Sequence, residues 1–171
     1  MCALNDQTDL RRKTFERAVK LLAAKPRSVA ELRERLLRGK NTNNEVVDAV
    51  IARLREYGYL NDERFAFSYA SYKVKQRPLG RRRLERDLKF KKVESDVVNE
   101  ALELVYAETS EEQLIDQAIA KRLRIRGRPK NRVEAKSLFD HLLRQGFEFE
   151  LVSEKIRSLT TDDTDEVNSN G

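Results

Sequence analysis

The chain lacks most of the residues from which catalytic and metal sites are commonly built. Its 171 residues include one cysteine, one histidine and no tryptophan, so neither a disulfide framework nor a thiolate or multi-histidine metal site is expected. The two glycine-rich patterns that cradle nucleotide phosphates, Gly-x-x-x-x-Gly-Lys-Ser/Thr and Gly-x-Gly-x-x-Gly, are also missing. We therefore predict that the protein is not an enzyme and has no catalytic residues, metal site or cofactor.

Long apolar runs are missing as well. No stretch approaches the roughly 18–20 consecutive apolar residues that a membrane-spanning helix requires, and 37% of the residues are charged. The first residues do not show a basic segment followed by an apolar one, which is the pattern of an export signal. These observations predict a cytoplasmic protein that does not act at a membrane.

Proline is scarce and evenly placed. Pro26, Pro78 and Pro129 are 52 and 51 residues apart, and a helix-capping signal and apolar residues at helical spacing follow each of them. An apolar pattern in residues 46–54 recurs in residues 97–105. In the third copy the proline lies about one turn earlier relative to the apolar pair. A period near 50 residues predicts an all-α fold of three tandem three-helix modules, about nine helices, in an elongated, curved array.

Capping signals and composition delimit the predicted modules. Four candidate helix starts match the capping-box spacing of a polar residue followed three positions later by a glutamate. These pairs are Ser28 with Glu31, Thr42 with Glu45, Thr109 with Glu112, and Asn131 with Glu134. The predicted organisation is a disordered N-terminus at 1–8, modules at 9–60, 61–108 and 109–159, and an acidic disordered tail at 160–171.

Positive charge is concentrated in two segments, although the net charge is only +6. Residues 73–92 hold ten basic side chains against two acidic ones, and helical periodicity places three of the basic residues opposite Leu84 and Leu88. A one-sided basic face is typical of contact with phosphate or carboxylate groups, and a solvated helix face is the alternative. The candidate contact residues are Arg77, Arg81, Arg82, Arg83, Arg86 and Lys89.

The second segment, residues 121–132, holds seven basic residues and no acidic one. Because basic residues at nearly every second position cannot line one face of a helix, we predict that part of the segment is a loop around Gly127 and Pro129. Arginine pairs well with phosphate and carboxylate groups, and a plain exposed linker is the alternative. The candidate contact residues are Arg122, Arg124, Arg126 and Arg128.

Three aromatic residues near these segments, Tyr69, Tyr72 and Phe90, are candidates for stacking on nucleic-acid bases. The helical spacing of Phe65, Tyr69 and Tyr72 favours the alternative that they belong to the core. The single histidine, His141, is expected to have an ordinary packing or surface role.

Three short motifs are similar to those of a known family. They are Gly58-Tyr59-Leu60-Asn61-Asp62-Glu63-Arg64-Phe65-Ala66, then Arg77-Pro78-Leu79-Gly80 followed by Leu84 and Leu88, and finally Arg144-Gln145-Gly146-Phe147. With these motifs the chain resembles the RecX family of recombinase regulators over roughly residues 14–158. One departure is Lys92, where the family usually has a glycine before an apolar residue.

The resemblance implies a bacterial protein that binds RecA and has no catalysis or cofactor of its own. It implies binding in the groove of the RecA filament on single-stranded DNA, with restraint of recombinase, ATPase and coprotease activities, and hence a role in DNA repair by homologous recombination and in the SOS response. We expect a monomer whose partners are the RecA filament and single-stranded DNA. The main alternative is a sequence-independent nucleic-acid-binding helical-repeat protein, and a third is a structural scaffold for another protein.

Overall fold

The structure, a computed structural model, describes residues 2–39 and 42–165. Over these two ranges the secondary structure is helical, without strands, which confirms the predicted all-α fold. The helices are α1 Cys2–Ala24, α2 Val29–Leu37, α3 Asn44–Glu56, α4 Asp62–Gln76, α5 Arg81–Phe90, α6 Ser95–Glu108, α7 Glu111–Arg126, α8 Arg132–Arg144 and α9 Phe149–Asp165.

Each of the three prolines stands three residues before the first residue of a helix. Pro26 precedes α2, Pro78 precedes α5 and Pro129 precedes α8. Proline is tolerated just ahead of a helix because no intrahelical hydrogen bond needs its missing N–H. Each of these helices is the second in a set of three, so the even spacing of the prolines reflects a repeated helical unit.

α8 is longer than its two counterparts by nearly one turn. In α2 and α5 the two buried leucines are the fourth and eighth residues of the helix, whereas in α8 they are the seventh and eleventh. All three helices end one or two residues after the second leucine, so the added turn, residues 132–134, lies at the start of α8. This explains why the third proline precedes its apolar pair by one more turn.

The helices pack into two compact units. The first comprises residues up to 69 together with 88–101, and the second comprises residues 70–87 together with those from 102 onward. The boundary between the units falls inside α4, α5 and α6, so each helix of the predicted middle module contributes residues to both units. The division into modules at residues 60 and 108 stays a prediction.

The core of the first unit comes largely from the apolar faces of α1, α2 and α3. Ser28 starts α2 with the predicted capping box: its Oγ accepts the N–H of Glu31 at 3.1 Å, and the Glu31 carboxylate accepts the N–H of Ser28 at 3.4 Å. The buried core side chains are Ala18, Leu32, Leu36, Val47, Val50, Ile51, Leu54 and Leu60.

Residues 58–66, the first motif shared with the RecX family, have structural roles in the first unit. Asn61 caps α4 by accepting the N–H of Arg64 at 2.6 Å. The Asp62 carboxylate accepts the N–H of Val29 at 2.8 Å and so satisfies a donor in the first turn of α2. Burial raises the pKa of Asp62, and the hydrogen bond from Val29 opposes this effect. The motif therefore joins the start of α4 to the start of α2.

Three helices end with a residue in the left-handed conformation just after the C-cap, as in a Schellman motif. These residues are Gly58 after α3, Lys92 after α5 and Gly146 after α8, with φ of 70°, 58° and 90°. Lys92 stands where the RecX resemblance would place a glycine. The lysine adopts the glycine geometry, and the N–H of Val93 still reaches the carbonyl of Leu88 at 3.3 Å.

Two helix starts differ from the prediction by one residue. Asn43 caps α3 and Ser110 caps α7, each accepting from the N–H three residues ahead at 2.9 and 3.2 Å. The capping boxes predicted at Thr42 and Thr109 were therefore wrong. A cap must stand directly outside the helix to reach that N–H, and in both cases the residue after the threonine has this position.

Both terminal helices extend into segments that were predicted to be disordered. α1 begins at Cys2, inside the segment 1–8 for which disorder was predicted. The Asp9 carboxylate binds two basic side chains one turn ahead, each at 2.6 Å, and such pairs stabilise a helix. α9 continues to Asp165, inside the predicted acidic tail. The rest of that tail, residues 166–171, lies outside the described residues.

Candidate nucleic-acid interface

The arginines at the start of α5 are bound to carboxylates. Arg82 makes a bidentate pair with Glu148, with Nε–Oε1 and Nη2–Oε2 distances of 2.8 and 2.6 Å. Arg81 Nη2 lies 2.7 Å from Glu103 Oε1, and Arg83 is paired with an aspartate of its own helix at 3.1 Å. Each pair brings opposite charges together, so these arginines present little net charge to an outside anion.

The predicted orientation of α5 is confirmed. Leu84 and Leu88 are fully buried, and the basic residues opposite them are exposed. Arg86 makes no ion pair with any residue that the structure describes. The exposed candidates in this segment are Arg77, Arg82, Arg86 and Lys89.

The first turn of α5 is held by the end of α8 within the second unit. The N–H of Gly80 donates to the carbonyl of Gln145 at 3.0 Å, and the N–H of Arg82 donates to the carbonyl of Gly146 at 3.1 Å. The two backbones are so close that a Cβ on Gly80 would lie 2.2 Å from the carbonyl carbon of Gly146. We call this contact, residues 80–82 against 145–146, the α5–α8 clasp. It joins the second and third motifs on which the resemblance to the RecX family rests.

Glu111, the first residue of α7, supplies a further acceptor to α5. Its Oε1 accepts the N–H of Arg81 at 2.9 Å. Burial raises the pKa of Glu111, the hydrogen bond from Arg81 opposes the rise, and the charge of Glu148 adds to it. Sequence reasoning missed these partners because they lie 22 to 66 residues away along the chain. The glycines at positions 80 and 146 were the available signal of a close approach.

The second basic segment is mostly helical. α7 continues to Arg126, so Arg122, Arg124 and Arg126 lie in its last turns and Arg128 follows it. The predicted loop is confined to residues 127–131. Arg122 and Arg126 are four residues apart and share a helix face, whereas Arg124 lies on another face. The basic residues of this segment therefore do not all line one helix face, as predicted, although the pair Arg122 and Arg126 does.

Arg122 and Arg126 line a cleft of about 210 Å³ formed by the end of α7 and the start of α8. Neither arginine makes an ion pair with a residue in the described ranges. Glu134, from the added turn of α8, also lines the cleft, but its carboxylate accepts the N–H of Lys130 at 2.8 Å. The cleft thus holds one carboxylate and two arginines without an ion-pair partner, which we call the uncompensated arginines. Leu123, Pro129 and Leu138 add apolar surface to its lining.

Burial and two positive charges act on His141, the one histidine in the sequence. Burial lowers the pKa of the His141 imidazole, and the charges of Arg122 and Arg144 lower it further. A positive group in a positive potential is disfavoured. Arg122 of α7 and Arg144 of α8 therefore both act on His141 as positive charges.

The aromatic candidates divide between core and surface. Tyr69 is partly buried and stacks on Phe65, with ring centroids 6.0 Å apart, and Lys91 Nζ lies 5.3 Å from the Tyr69 ring. The core interpretation is confirmed for Phe65 and fits Tyr69. It was wrong for Tyr72 and Phe90, which are 61% and 87% exposed. Helical spacing marks a face, but it does not show whether another element covers that face.

The described part of the chain offers no metal centre and no membrane span. Within those residues no three histidine, cysteine, aspartate or glutamate side chains are placed to hold a metal ion. None of the described helices is both long and apolar enough to cross a membrane.

Comparison with protein-family models identifies the relatives of this chain. The model for the first three-helix domain of RecX matches residues 15–54, and that for the second three-helix domain of RecX matches residues 61–102. The chain belongs to the RecX family. The first RecX domain extends from α1 into α3, and the second extends from α4 into α6.

Individual relatives agree with this assignment. The regulatory protein RecX of Bacillus velezensis is 32% identical over 157 residues, which are 91% of this chain and 58% of that protein. RecX of Bacillus subtilis is 32% identical over 143 residues, which are 83% of this chain and 53% of that protein. The chain thus spans a little over half the length of these RecX relatives.

A solved structure shows the same fold. The crystal structure of RecX from Lactobacillus salivarius matches with a TM-score of 0.78 and covers 90% of this chain and 99% of its own. The two sequences are 19% identical, so the likeness concerns the fold. The chain has the helical-repeat fold of RecX.

Proposed function

We propose that this protein is a negative regulator of RecA. In this proposal it binds in the groove of the RecA filament on single-stranded DNA and restrains the recombinase, ATPase and coprotease activities. It acts in the cytoplasm as a monomer, without a catalytic reaction of its own. Membership of the RecX family, whose relatives are named regulatory proteins, supports a regulatory function, and the family resemblance supplies RecA as the partner.

The uncompensated arginines of α7 are the observation that carries the proposed contact. Arg122 and Arg126 line one cleft, and a guanidinium group can bind a phosphate or carboxylate through two parallel hydrogen bonds. We assign to them the main contact with DNA phosphates or with acidic filament surface. Arg124 and Arg128, next to them in sequence, and Arg86 on α5 add further positive charge.

The paired arginines of α5 have a different role in this proposal. Arg82 and Glu148 together carry no net charge, and screening removes their residual field within about 8 Å at physiological salt. Arg81 and Arg83 are paired in the same way. These three arginines stabilise the second unit, and their contribution to filament binding is small.

The test is a titration of RecA-catalysed ATP hydrolysis on single-stranded DNA with this protein at substoichiometric ratios. The double variant Arg122→Gln, Arg126→Gln is expected to require roughly 30-fold more protein for half-maximal inhibition. The reason is the loss of two charge-assisted contacts of about 1 kcal/mol each. Inhibition by the double variant at the wild-type concentration would refute the assigned contact, and no inhibition by the wild type would refute the proposed function.

A matched control removes the same number of charged groups, two, from the ion pair between Arg82 of α5 and Glu148. The variant Arg82→Gln, Glu148→Gln replaces a neutral ion pair by a neutral amide pair of similar size. It should inhibit ATP hydrolysis as the wild type does. Both double variants must unfold at temperatures close to that of the wild type, which circular dichroism measures.

The uncompensated arginines also favour one alternative function, sequence-independent binding of single-stranded nucleic acid without a filament. Binding to bare single-stranded DNA and to RecA–DNA filaments at about 150 mM salt separates the two, because screening then limits the reach of surface charge to about 8 Å. The RecA proposal expects tighter binding to the filament. Equal or tighter binding to bare DNA would support the alternative.

A further inference from the structure

Three aromatic rings of the first unit form a continuous row that extends from the edge of the core into solvent, and the proposed contact does not account for it. We call Phe15, Tyr57 and Tyr59 the aromatic ladder. The centroids of Phe15 and Tyr57 are 6.3 Å apart, and those of Tyr57 and Tyr59 are also 6.3 Å apart, with ring planes nearly perpendicular in both pairs. The guanidinium carbon of Arg53 lies 5.4 Å from the Phe15 centroid and 5.3 Å from the Tyr57 centroid.

The two tyrosine rings of the ladder are exposed to solvent. Tyr57 is 50% exposed and Tyr59 is 60% exposed, whereas Phe15 packs against the core of the first unit. Exposing two neighbouring tyrosine rings leaves apolar surface in contact with water. The structure therefore maintains an aromatic surface at this point instead of burying it.

The ladder is held in a fixed geometry. The Tyr57 hydroxyl accepts hydrogen bonds from Arg53 Nε at 3.1 Å and Nη2 at 3.0 Å, and the Tyr57 N–H donates to the Arg53 carbonyl at 3.0 Å. The N–H of Tyr59 donates to the carbonyl of Leu54 at 2.9 Å across the left-handed Gly58. Aromatic side chains that are ordered before binding lose little conformational entropy when a ligand stacks on them.

The charges of the same helix end favour an anionic ligand. Arg53 lies against the Phe15 and Tyr57 rings, and Arg64 Nη2 donates to the carbonyl of Gly58 at 2.6 Å, so two guanidinium groups lie beside the turn that carries Tyr59. A ligand that matches both features is flat and aromatic where it meets the tyrosines and anionic where it meets the arginines. Nucleobases joined by phosphates have this chemistry, and stacking on aromatic side chains tolerates any base sequence.

We propose that the aromatic ladder is a stacking site for the bases of single-stranded nucleic acid, with Tyr59 as the principal platform. This proposal rests on the proposed function for one point, the identity of the ligand, which is single-stranded DNA. It adds a second mode of contact, to the bases, in a unit that does not contain Arg122 and Arg126. The site is independent of the phosphate contacts assigned to α7.

The test compares an ordinary 20-nucleotide single-stranded DNA with a strand of equal length in which the bases are replaced by abasic sugars. The variant Tyr59→Leu should bind the ordinary strand at least about fivefold more weakly than the wild type, because stacking on one ring is lost. It should bind the abasic strand as the wild type does. Fluorescence anisotropy of a labelled strand at low salt measures both affinities.

Two control variants isolate the ring. Tyr59→Phe keeps the aromatic face and should retain wild-type affinity. Phe149→Leu removes an aromatic ring of similar exposure, 52%, from the start of α9, and should also leave affinity unchanged. Thermal unfolding of each variant shows that the fold is retained.

Other outcomes would overturn the inference. Equal weakening of Tyr59→Leu on ordinary and abasic strands would give Tyr59 a structural role, and unchanged binding to both would remove it from the interface. If Tyr59→Leu lost binding to RecA filaments but kept its affinity for bare DNA, the ladder would be a protein-docking surface. Absence of wild-type binding to bare DNA would also refute the stacking site, whereas the proposed function would still be decided by the ATP hydrolysis titration.

Discussion

The two arginine-rich regions of the chain differ in what their charges face. At the start of α5, three arginines face carboxylates, and the helix is clamped to the end of α8. In α7, Arg122 and Arg126 face a cleft, and Arg122 lowers the pKa of a neighbouring histidine. Residues 73–92 hold more basic side chains than residues 121–132, ten against seven. The number of basic residues in a segment therefore does not measure the charge that is available to a partner.

The largest expected effect is a loss of stability when the α5–α8 clasp is disrupted. Gly80→Ala should destabilise the protein by about 3 kcal/mol, because the new Cβ would lie 2.2 Å from the backbone of residues 146 and 147, which cannot move aside as a flexible side chain can. Urea denaturation followed by circular dichroism measures the loss. Gly58→Ala is the control, since φ is +70° but no atom lies within 4 Å of the new Cβ, and it should cost about 1 kcal/mol. Equal losses would mean that the α5–α8 clasp is not tightly packed.

The next effect concerns the salt dependence of DNA binding, which compares the charge that α7 and α5 offer to a ligand. Removing Arg122 and Arg126 should lower the slope of log affinity for single-stranded DNA against log salt concentration by about 1.4, because each phosphate contact contributes about 0.7. The control Arg82→Gln, Glu148→Gln should leave the slope unchanged. Affinities measured between about 50 and 200 mM salt give the slopes. A smaller slope in the control alone would reverse the roles of the two regions.

A smaller effect is a change in the pKa of His141, which responds to the charge of Arg122. Since the chain has one histidine, nuclear magnetic resonance can follow the titration of His141 without overlap. Arg122→Gln should raise the pKa of His141, although burial, the larger cause, keeps it below the ordinary value. Single-stranded DNA bound at Arg122 should raise it as well. A pKa unaffected by both would show that Arg122 does not act on the histidine.

The same histidine predicts the direction of a pH dependence. Its pKa in the folded protein lies below that of an unfolded histidine, about 6.5. The unfolded chain therefore takes up a proton first as the pH falls, so this contribution lowers stability as the pH drops through about 6.5 and is absent well above it. His141→Gln should flatten this part of the stability profile, which denaturation at pH 7.5 and 5.5 measures.

The smallest effect concerns the other end of α5. Lys92→Gly should be about 1 kcal/mol more stable than Lys92→Ala, because glycine adopts φ near +58° without strain and alanine does not. Both variants lose the exposed ion pair between Lys92 and Glu34, so this loss cancels in the comparison. Thermal unfolding gives the difference. Equal stabilities would mean that the lysine conformation is unstrained.

Features that depend on residues close together in the sequence were predicted correctly. Helical spacing identified the buried pairs Leu32 with Leu36 and Leu84 with Leu88, and local hydrogen-bonding patterns identified the cap at Ser28. These features arise from residues three or four positions apart. The even prolines likewise marked the second helix of each set.

The candidate site was predicted only in part, for a physical reason. Whether an arginine is available depends on carboxylates that the fold brings to it, and Glu148 is 66 residues from Arg82. Whether Tyr72 is buried depends on which element covers its face, and helical spacing carries no information on this. The loop predicted around Gly127 and Pro129 is present at residues 127–131, but the spacing of the basic residues did not reveal that α7 continues to Arg126.

The α5–α8 clasp determines at which point of synthesis on the ribosome the start of α5 can form its native hydrogen bonds. The amide groups of residues 80–82 are satisfied by acceptors 30 to 65 residues further along. A ribosome must therefore add residues 111 and 145–146 before the start of α5 can gain its native partners. Until then these donors are left to water, and a chain truncated before residue 145 is synthesised with the second unit unfinished.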